Sequence, residues 1–359
     1  MNKKIMFVIS DLEIGGAERI LIFLANFLIK KKFKVRILYF KKKNNRCFNL
    51  NPKVNSECLN LEKETNNIFQ KIQYTYIRIK RIRKKINVYR PDYIISFLTT
   101  VNILSIIASF NLNKKLIINE RNDLNKKKIP YIWKILRFLL YRFSNKVLFN
   151  HPSSGKVLEK FVPSKKILFI PNPCMLKGKV SLKNRTKTIL FVGRLTHQKN
   201  VNLLIKSFYK SCAVKKGWKL VIFGYGEELN FLKNEIKKLG INQHVIFKGI
   251  SKKINEWYKK SSIYIICSRY EGMPNTLIES MYYKLAIIGT RITGIQYFIK
   301  HKQNGLLINN NNENDLTKNL NLLINNKKIR ISLGSNAQKT ILKKGNKKHF
   351  QEEWIKVLK

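Results

Sequence analysis

The stretch Ser268–Met281, SRYEGMPNTLIESM, predicts a turn between a buried strand and a helix. The apolar run Ser262–Cys267 (SIYIIC) that precedes it has the length and composition of a buried strand. Gly272 and Pro274 suit a tight turn, and a helical pattern follows them. Strand, turn and helix in this order are typical of an α/β domain in which the turn lies at a ligand site.

The same stretch carries groups that suit a phosphorylated, hydroxylated ligand. Asn275 or Thr276 is expected to act as the N-cap, and the free amides of the first helical turn attract anions. Glu271 and Glu279, in an E-x7-E spacing, are expected near the same opening, where carboxylates accept hydrogen bonds from hydroxyls. The pattern therefore favours a nucleotide sugar, although an ordinary strand-to-helix junction with a surface pair of glutamates is the alternative.

The segment EGMPNTLIES resembles the donor-site signature of retaining glycosyltransferases of family 4, which have the two-domain GT-B fold. The resemblance implies that Glu271 is catalytic beside the donor sugar and that Glu279 holds the ribose hydroxyls. It further implies that the donor diphosphate is bound around Gly272 and by the amides of Asn275, Thr276 and Leu277.

A second motif, GRLTHQKN, follows the predicted strand Thr188–Val192. Arg194 and Lys199 place two cations at the carboxyl end of this strand, where they can neutralise a departing diphosphate. Two solvated surface cations are the alternative, since the chain is rich in both residue types. The motif resembles the donor-diphosphate motif of the same family, which implies binding and catalytic roles for Arg194 and Lys199.

Two further positions are expected near the donor because of the resemblance. GGAER at the start of the first predicted helix is similar to the opening of many family 4 enzymes. The resemblance implies that Gly16 lets the backbone approach a ligand, and Glu18 is a secondary candidate for the site. Ile250, after the predicted strand Val245–Lys248, is expected to face the base of the nucleotide through backbone groups.

Strands and helices alternate in both halves of the chain, which predicts two doubly wound, Rossmann-like α/β domains facing a cleft. Residues 1–175 are expected to form an N-terminal domain on the acceptor side, and residues 186–346 a C-terminal domain that binds the nucleotide sugar. In this fold a last helix commonly crosses back onto the first domain, which gives residues 347–359 that role. Residues 41–66 show no clear pattern.

The first half offers polar residues at strand ends but no clear catalytic histidine. Thr99–Asn102 and Glu120–Asp123 each follow a predicted strand, where open α/β sheets bind ligands. For Glu120–Asp123, a ligand site and a solvated loop fit the sequence equally well. The resemblance implies a histidine at one of these ends. Only His151 lies near one, without a convincing match, so Arg121 is the candidate for the polar role.

Residues Lys126–Lys146 predict a helix in which aromatic side chains alternate with cations. Such a helix can lie in the headgroup region of an anionic membrane. The alternative is a helix that packs its apolar stripe on the sheet and turns its cations to water.

The formal net charge of the 359 residues is +52, which favours anionic partners, although Lys is abundant in every segment. Five scattered cysteines without a C-x-x-C spacing favour a reducing cytoplasm. With no signal peptide and no uncharged run of about 20 apolar residues, the expected location is cytoplasmic, peripheral on the inner face of the cytoplasmic membrane.

These observations predict a retaining glycosyltransferase that moves an N-acetylhexosamine or a hexose. The resemblance implies a UDP-linked donor and a polyprenyl-diphosphate-linked glycan acceptor, in the assembly of surface polysaccharide, such as lipopolysaccharide, or of glycoprotein. No metal cofactor is expected, because Arg194 and Lys199 supply the cations. The alternatives are a non-catalytic protein that binds nucleic acid or another polyanion, and a lectin-like relic. Nucleic acid is not an expected partner, because no known binding module accompanies the basic residues.

Overall fold

The computed structural model describes residues 3–13, 15–41, 49–61, 67–251 and 253–359. The chain divides into two compact units, Met1–Pro171 with Lys348–Lys359, and Asn172–Lys347. Each unit contains one fully parallel sheet with helices between its strands. The prediction of two doubly wound α/β domains is therefore confirmed.

The first unit is built on a seven-stranded sheet in the order β3-β2-β1-β4-β5-β6-β7. Its strands are β1 (Lys4–Ile9), β2 (Lys34–Tyr39), β3 (Asn55–Cys58), β4 (Tyr93–Phe97), β5 (Lys115–Glu120), β6 (Lys146–Phe149) and β7 (Ile167–Phe169). Its helices are α1 (Gly16–Lys30), α2 (Ile68–Tyr89), α3 (Thr99–Ser109), α4 (Tyr131–Leu140) and α5 (Ser154–Leu158). The central strands are continuous apolar runs that are buried on both faces, as parallel sheets require.

One strand of this unit was not predicted, and one helix was predicted too long. The interval 41–66 contains β3, a polar strand that pairs only with β2 at the sheet edge and so lacks an apolar signal. Thr99–Asn102 follows β4 as expected and forms the first turn of α3. The helix expected over Lys126–Lys146 spans only Tyr131–Leu140, because Pro130 fits the position before a helix better than its interior.

The second unit is built on a six-stranded sheet in the order β10-β9-β8-β11-β12-β13. Its strands are β8 (Thr188–Val192), β9 (Lys219–Phe223), β10 (Val245–Gly249), β11 (Ile263–Ile266), β12 (Ala286–Thr290) and β13 (Leu306–Ile308). Its helices are α6 (Val201–Lys210), α7 (Leu229–Lys238), α8 (Ile254–Lys260), α9 (Asn275–Tyr282), α10 (Thr293–Gln296), α11 (Glu313–Asn325) and α12 (Lys327–Lys344).

The last helix, α13 (Lys347–Val357), lies almost wholly in the first unit. Trp354 is fully buried there, and the ring of Phe350 lies 5.9 Å from that of Phe23 in α1. The hydroxyl of Tyr93 donates to the carbonyl of Leu358 at 2.6 Å. Within the described ranges, no helix is long and apolar enough to cross a membrane.

The strand order creates one switch point in each sheet, where the connections from two neighbouring strands lead in opposite directions along the sheet. The strands at this point are β1 and β4 in the first unit and β8 and β11 in the second. Open α/β sheets bind ligands beyond the carboxyl ends of such strands. In the second unit, the loops that follow β8 and β11 carry the GRLTHQKN and SRYEGMPNTLIESM motifs.

Candidate active site

Lys199 and Glu271 form an ion pair at the switch point of the second sheet. Lys199 Nζ donates to Glu271 Oε1, and Ser268 Oγ donates to the same oxygen at 2.6 Å. The two charged side chains are only 15% and 8% exposed. A cation and a hydroxyl thus hold the carboxylate in one orientation, and two predicted site residues from different motifs are brought together.

Backbone contacts hold the two loops together around this pair. The amide of Arg269 donates to Gln198 O at 2.8 Å, and Gln198 Nε2 donates to Tyr270 O at 2.9 Å. The Cys267 thiol donates to the carbonyl of Lys199 at 3.3 Å, and burial raises the pKa of this thiol to about 12. The thiol therefore stays protonated at neutral pH and acts as a structural donor.

Arg194 lies on a loop that a glycine turn holds in place. The amide of Gly193 donates to Phe223 O at 2.9 Å, at the end of the neighbouring strand β9. Gly224 has φ of +145°, and a Cβ at this position would lie 1.8 Å from Gly193 O. Only glycine allows this approach. The Arg194 side chain is exposed and can reach a ligand in solvent.

The N-cap prediction for α9 was wrong. The helix begins at Asn275 after Pro274, and neither predicted side chain caps it. Asn275 Oδ1 instead accepts a hydrogen bond from Asn172 Nδ2 at 2.8 Å, and Thr276 Oγ1 accepts one from the hydroxyl of Tyr264 at 2.7 Å. Both side chains have tertiary partners, which compete with the local capping bond.

The first turn of α9 nevertheless begins shortly after Glu271 in the sequence. The amide of Leu277 donates to Pro274 O at 3.2 Å, and the Leu277 side chain is fully buried. Glu279, within the same helix, is 5% exposed. The carbonyl of Gly272 lies 2.0 Å from where a Cβ on Gly294 would be, so the turn packs closely against the start of α10.

Of the other predicted positions, Ile250 belongs to the second unit and Gly16 to the first. Ile250 is 44% exposed and follows Gly249 at the end of β10, the edge strand of the same sheet. Gly16 is the first residue of α1 and is exposed. Glu18, two residues further, is buried.

The polar segment Glu120–Asp123 is not a solvated loop. Glu120 is the last residue of β5 and fully buried, where it accepts hydrogen bonds from the hydroxyls of Tyr141 and Thr99. Burial raises the pKa of Glu120 despite these donors. The guanidinium of Arg121 lies 5.5 Å from the ring centroid of Phe97, and burial lowers the Arg121 pKa to about 9.

Two residues of the candidate site were not predicted. Ser268 was included in the motif without a role, although its position three residues before Glu271 places it within reach of the carboxylate. Asn172 stands in a Pro-Asn-Pro sequence, and its side chain also donates to Met273 O at 2.9 Å. Its partners lie about a hundred residues further along the chain, so no local pattern identifies them.

Comparison with known proteins agrees with these motifs. Residues 14–176 match the family model "Glycosyltransferase Family 4", and residues 176–340 match "Glycosyl transferases group 1". The chain is 32% identical, over 99% of its length and 98% of the relative, to a Campylobacter jejuni alpha-1,4-N-acetylgalactosaminyltransferase named for a glycan on diphospho-undecaprenol.

A second Campylobacter jejuni enzyme, an N-acetylgalactosaminyltransferase also named for a diphospho-undecaprenol substrate, is 27% identical over 99% of both chains. The crystal structure of Anabaena HepE in complex with UDP superposes with a TM-score of 0.79 at 16% identity, over 99% of both chains. At this identity the likeness supports the GT-B fold alone. On its sequence matches, the chain belongs to the glycosyltransferases with family 4 and group 1 domains.

Proposed function

We propose that this glycosyltransferase is a retaining enzyme that transfers an N-acetylhexosamine or a hexose from a UDP-sugar to a glycan on polyprenyl diphosphate. The observation that carries the proposal is the buried Lys199–Glu271 pair, which Ser268 supports at the switch point of the second sheet. Two relatives named for diphospho-undecaprenol substrates support the acceptor class, and UDP is proposed as the nucleotide because HepE, which shares the fold, has been crystallised with it.

The residues of the second unit suit the departure of a nucleoside diphosphate. Lys199 Nζ has three protons, so it can keep one on Glu271 while it donates another to a phosphate oxygen. Arg194 is exposed and adds a second cation with several donors. With two cations available, we propose that the diphosphate leaves without help from a metal ion.

In the proposed reaction, the bond between the anomeric carbon and the β-phosphate oxygen breaks, and a bond to the acceptor oxygen forms on the same face. The acceptor proton passes to the leaving phosphate oxygen, so no protein base is needed. Glu271 orients the donor sugar, and Glu279 accepts hydrogen bonds from the ribose hydroxyls. The amides at Asn275 and Thr276 face the diphosphate.

The test is transfer of label from a panel of UDP-sugars to a lipid extract by the wild type and Glu279→Ala. Glu256→Ala, which removes an exposed glutamate from α8 of the same unit, is the matched control. We expect label in the organic phase from one donor, loss of at least a hundredfold in Glu279→Ala, and no change in Glu256→Ala. Equal transfer by all three proteins would contradict the assignment of Glu279.

We further propose that α4 touches an anionic membrane and places the enzyme on the inner face of the cytoplasmic membrane, in surface polysaccharide or glycoprotein assembly. One stripe of this helix, Trp133, Leu136 and Leu140, packs against the core of the first unit. A second apolar stripe stays exposed and consists of Tyr131, Ile132, Ile135, Phe138 and Leu139. An apolar stripe on a protein with a net charge of +52 fits an anionic bilayer.

Vesicle sedimentation tests the membrane proposal. Leu139 is 49% exposed on α4, and Leu342 is 53% exposed on α12 of the second unit, which makes two matched leucines. We expect Leu139→Ser to weaken binding to vesicles with anionic lipid severalfold, and Leu342→Ser to bind like the wild type. Equal loss in both variants, or binding of the wild type to neutral vesicles alone, would contradict it.

A further inference from the structure

A chain of hydrogen bonds links the loops that follow β5 and β6 in the first unit. These strands are parallel neighbours, so both loops leave the carboxyl edge of the sheet side by side. Asn125 Nδ2 lies 3.4 Å from Ser153 Oγ, and Ser153 Oγ lies 2.9 Å from His151 Nδ1. His151 Nε2 then lies 3.7 Å from Asp123 Oδ2.

The direction of this chain follows from its members. An amide nitrogen only donates, so Ser153 Oγ accepts from Asn125 and can give its own proton to His151 Nδ1. In that arrangement the neutral imidazole carries its own proton on Nε2, on the side of Asp123. Burial lowers the pKa of His151, so the neutral ring is the form present at neutral pH.

The last contact of the chain is incomplete. The distance of 3.7 Å exceeds the length of a hydrogen bond, and no other acceptor among the described residues reaches His151 Nε2. His151 is only 1% exposed, and a buried polar atom without a partner costs free energy. A buried ring nitrogen without a partner, in a loop at the carboxyl edge of the sheet, indicates a site that is completed by a ligand or by a small closure of the loop.

Of the two ionisable side chains at the end of this chain, the carboxylate of Asp123 is more exposed than the ring of His151. Asp123 Oδ1 accepts from the amide of Asn125 at 2.9 Å, which fixes the carboxylate, and its side chain is 10% exposed. Its Oδ2, facing His151, keeps acceptor capacity for an incoming hydroxyl. In ligand sites, a few fixed polar groups set the orientation of the ligand.

We propose that Asp123 Oδ2 binds a hydroxyl of the acceptor sugar and that His151 is a positioning residue that orients the carboxylate. This inference rests on the proposed function in one respect, namely that the acceptor is a glycan. Asp123 accepts a hydrogen bond from a sugar hydroxyl without removing its proton. The proposal gives the polar segment after β5 a role in acceptor recognition, separate from the donor site of the second unit.

The first test is steady-state transfer to a polyprenyl-diphosphate-linked N-acetylgalactosaminyl acceptor. We expect Asp123→Asn to raise the acceptor KM by about tenfold to a hundredfold, as for loss of a hydrogen bond to a charged group, with UDP affinity within about twofold. His151→Phe should also raise the acceptor KM, and His151→Gln, which keeps a donor near Nε2, should restore most of it. An unchanged acceptor KM in Asp123→Asn or in His151→Phe would overturn the proposal.

Asp92→Asn is the matched control, because Asp92 also holds a backbone amide, that of Lys4 at 2.7 Å, ahead of β4 at the opposite edge of the sheet. We expect it to leave the acceptor KM unchanged. A rise equal to that of Asp123→Asn would mean that both changes act through the stability of the unit, which would overturn the specific role of Asp123.

The second test does not depend on activity. The chain has five histidines, so the imidazole NMR signal of His151 can be assigned from its loss in His151→Gln. We expect the methyl glycoside of N-acetylgalactosamine to shift this signal and UDP to leave it unchanged. If the wild type transfers no sugar, the proposed function fails, and a saccharide-induced shift then still supports the subsite. Absence of a shift, in an active or an inactive protein, refutes it.

Discussion

Breaking the ion pair between Lys199 and Glu271 should lower the free energy of unfolding and change the affinity for UDP, and the two effects can be measured separately. We consider Lys199→Met, Glu271→Gln and the double variant. Two unit charges about 4 Å apart attract by about 4 kcal/mol at an effective dielectric constant of about 20, which suits side chains that are 15% and 8% exposed. Loss of solvation offsets part of this attraction, so we expect a coupling free energy of about 2 kcal/mol.

Lys199→Met should destabilise the second unit most, by about 3 kcal/mol, because it leaves the Glu271 carboxylate buried with the Ser268 hydroxyl as the one partner of its Oε1 among the described residues. Glu271→Gln should cost less, since Lys199 can extend toward solvent. The double variant should be more stable than the sum of the single losses predicts, because it removes both charges together.

Urea unfolding followed by tryptophan fluorescence measures these values. Trp218 and Trp257 report on the second unit once the two tryptophans of the first unit, Trp133 and Trp354, are replaced by Phe. Additive losses, with a coupling below about 0.5 kcal/mol, would refute the reasoning about the pair.

Calorimetry with UDP separates binding from stability in the same variants. Lys199→Met should weaken UDP binding by about tenfold to a hundredfold, because it removes a charge-assisted donor to the diphosphate. Glu271→Gln should bind UDP at least as tightly as the wild type, since it frees the lysine. Wild-type affinity in Lys199→Met would refute the role of this cation in diphosphate binding.

Three further outcomes are expected. Arg194→Ala should lower UDP affinity about tenfold in calorimetry while the free energy of unfolding changes by less than about 0.5 kcal/mol, because the side chain is exposed; a large loss of stability would contradict this. Gly224→Ala should destabilise the protein by about 2 kcal/mol or more in urea unfolding and also weaken UDP binding, since its Cβ would displace the Gly193 carbonyl next to Arg194. Burial raises the pKa of Glu120, so the folded state holds the carboxyl proton more tightly than the unfolded state does. The contribution of this proton to the free energy of unfolding is complete below the ordinary pKa of 4.5 and is lost as the pH rises through the pKa of the folded state. Glu120→Gln should therefore be more stable than the wild type at pH 8 by about 1–3 kcal/mol and equal to it near pH 4, and a variant that is less stable at pH 8 would refute this.

Local patterns predicted which residues lie at the strand ends of the second sheet, because strand ends are local features. Arg194, Lys199 and Glu271 each follow a buried apolar run within a few residues, and parallel sheet topology then brings such strand ends to one edge. The GT-B fold and the glycosyltransferase family were predicted correctly from the resemblance of the EGMPNTLIES and GRLTHQKN motifs. The retaining outcome and the acceptor remain predictions.

Tertiary partners explain what the sequence did not reveal. Asn275 and Thr276 have the composition of N-caps, but Asn172 and Tyr264 engage their side chains from distant positions. Glu120 looks like a loop residue because it is charged, yet Tyr141 and Thr99 provide the donors that let it end a buried strand. Such long-range hydrogen bonds have no signature in a local window of sequence.

The placement of α13 in the first unit has a consequence for synthesis on the ribosome. The second unit, Asn172–Lys347, is continuous in sequence, so all of its core is available once its last residue has left the exit tunnel. The first unit is made earlier but must wait for Phe350 and Trp354, which are buried against it. Of the two units, the one that is translated first is therefore the one that completes its core last, and until then the surface that receives α13 is exposed to the cell.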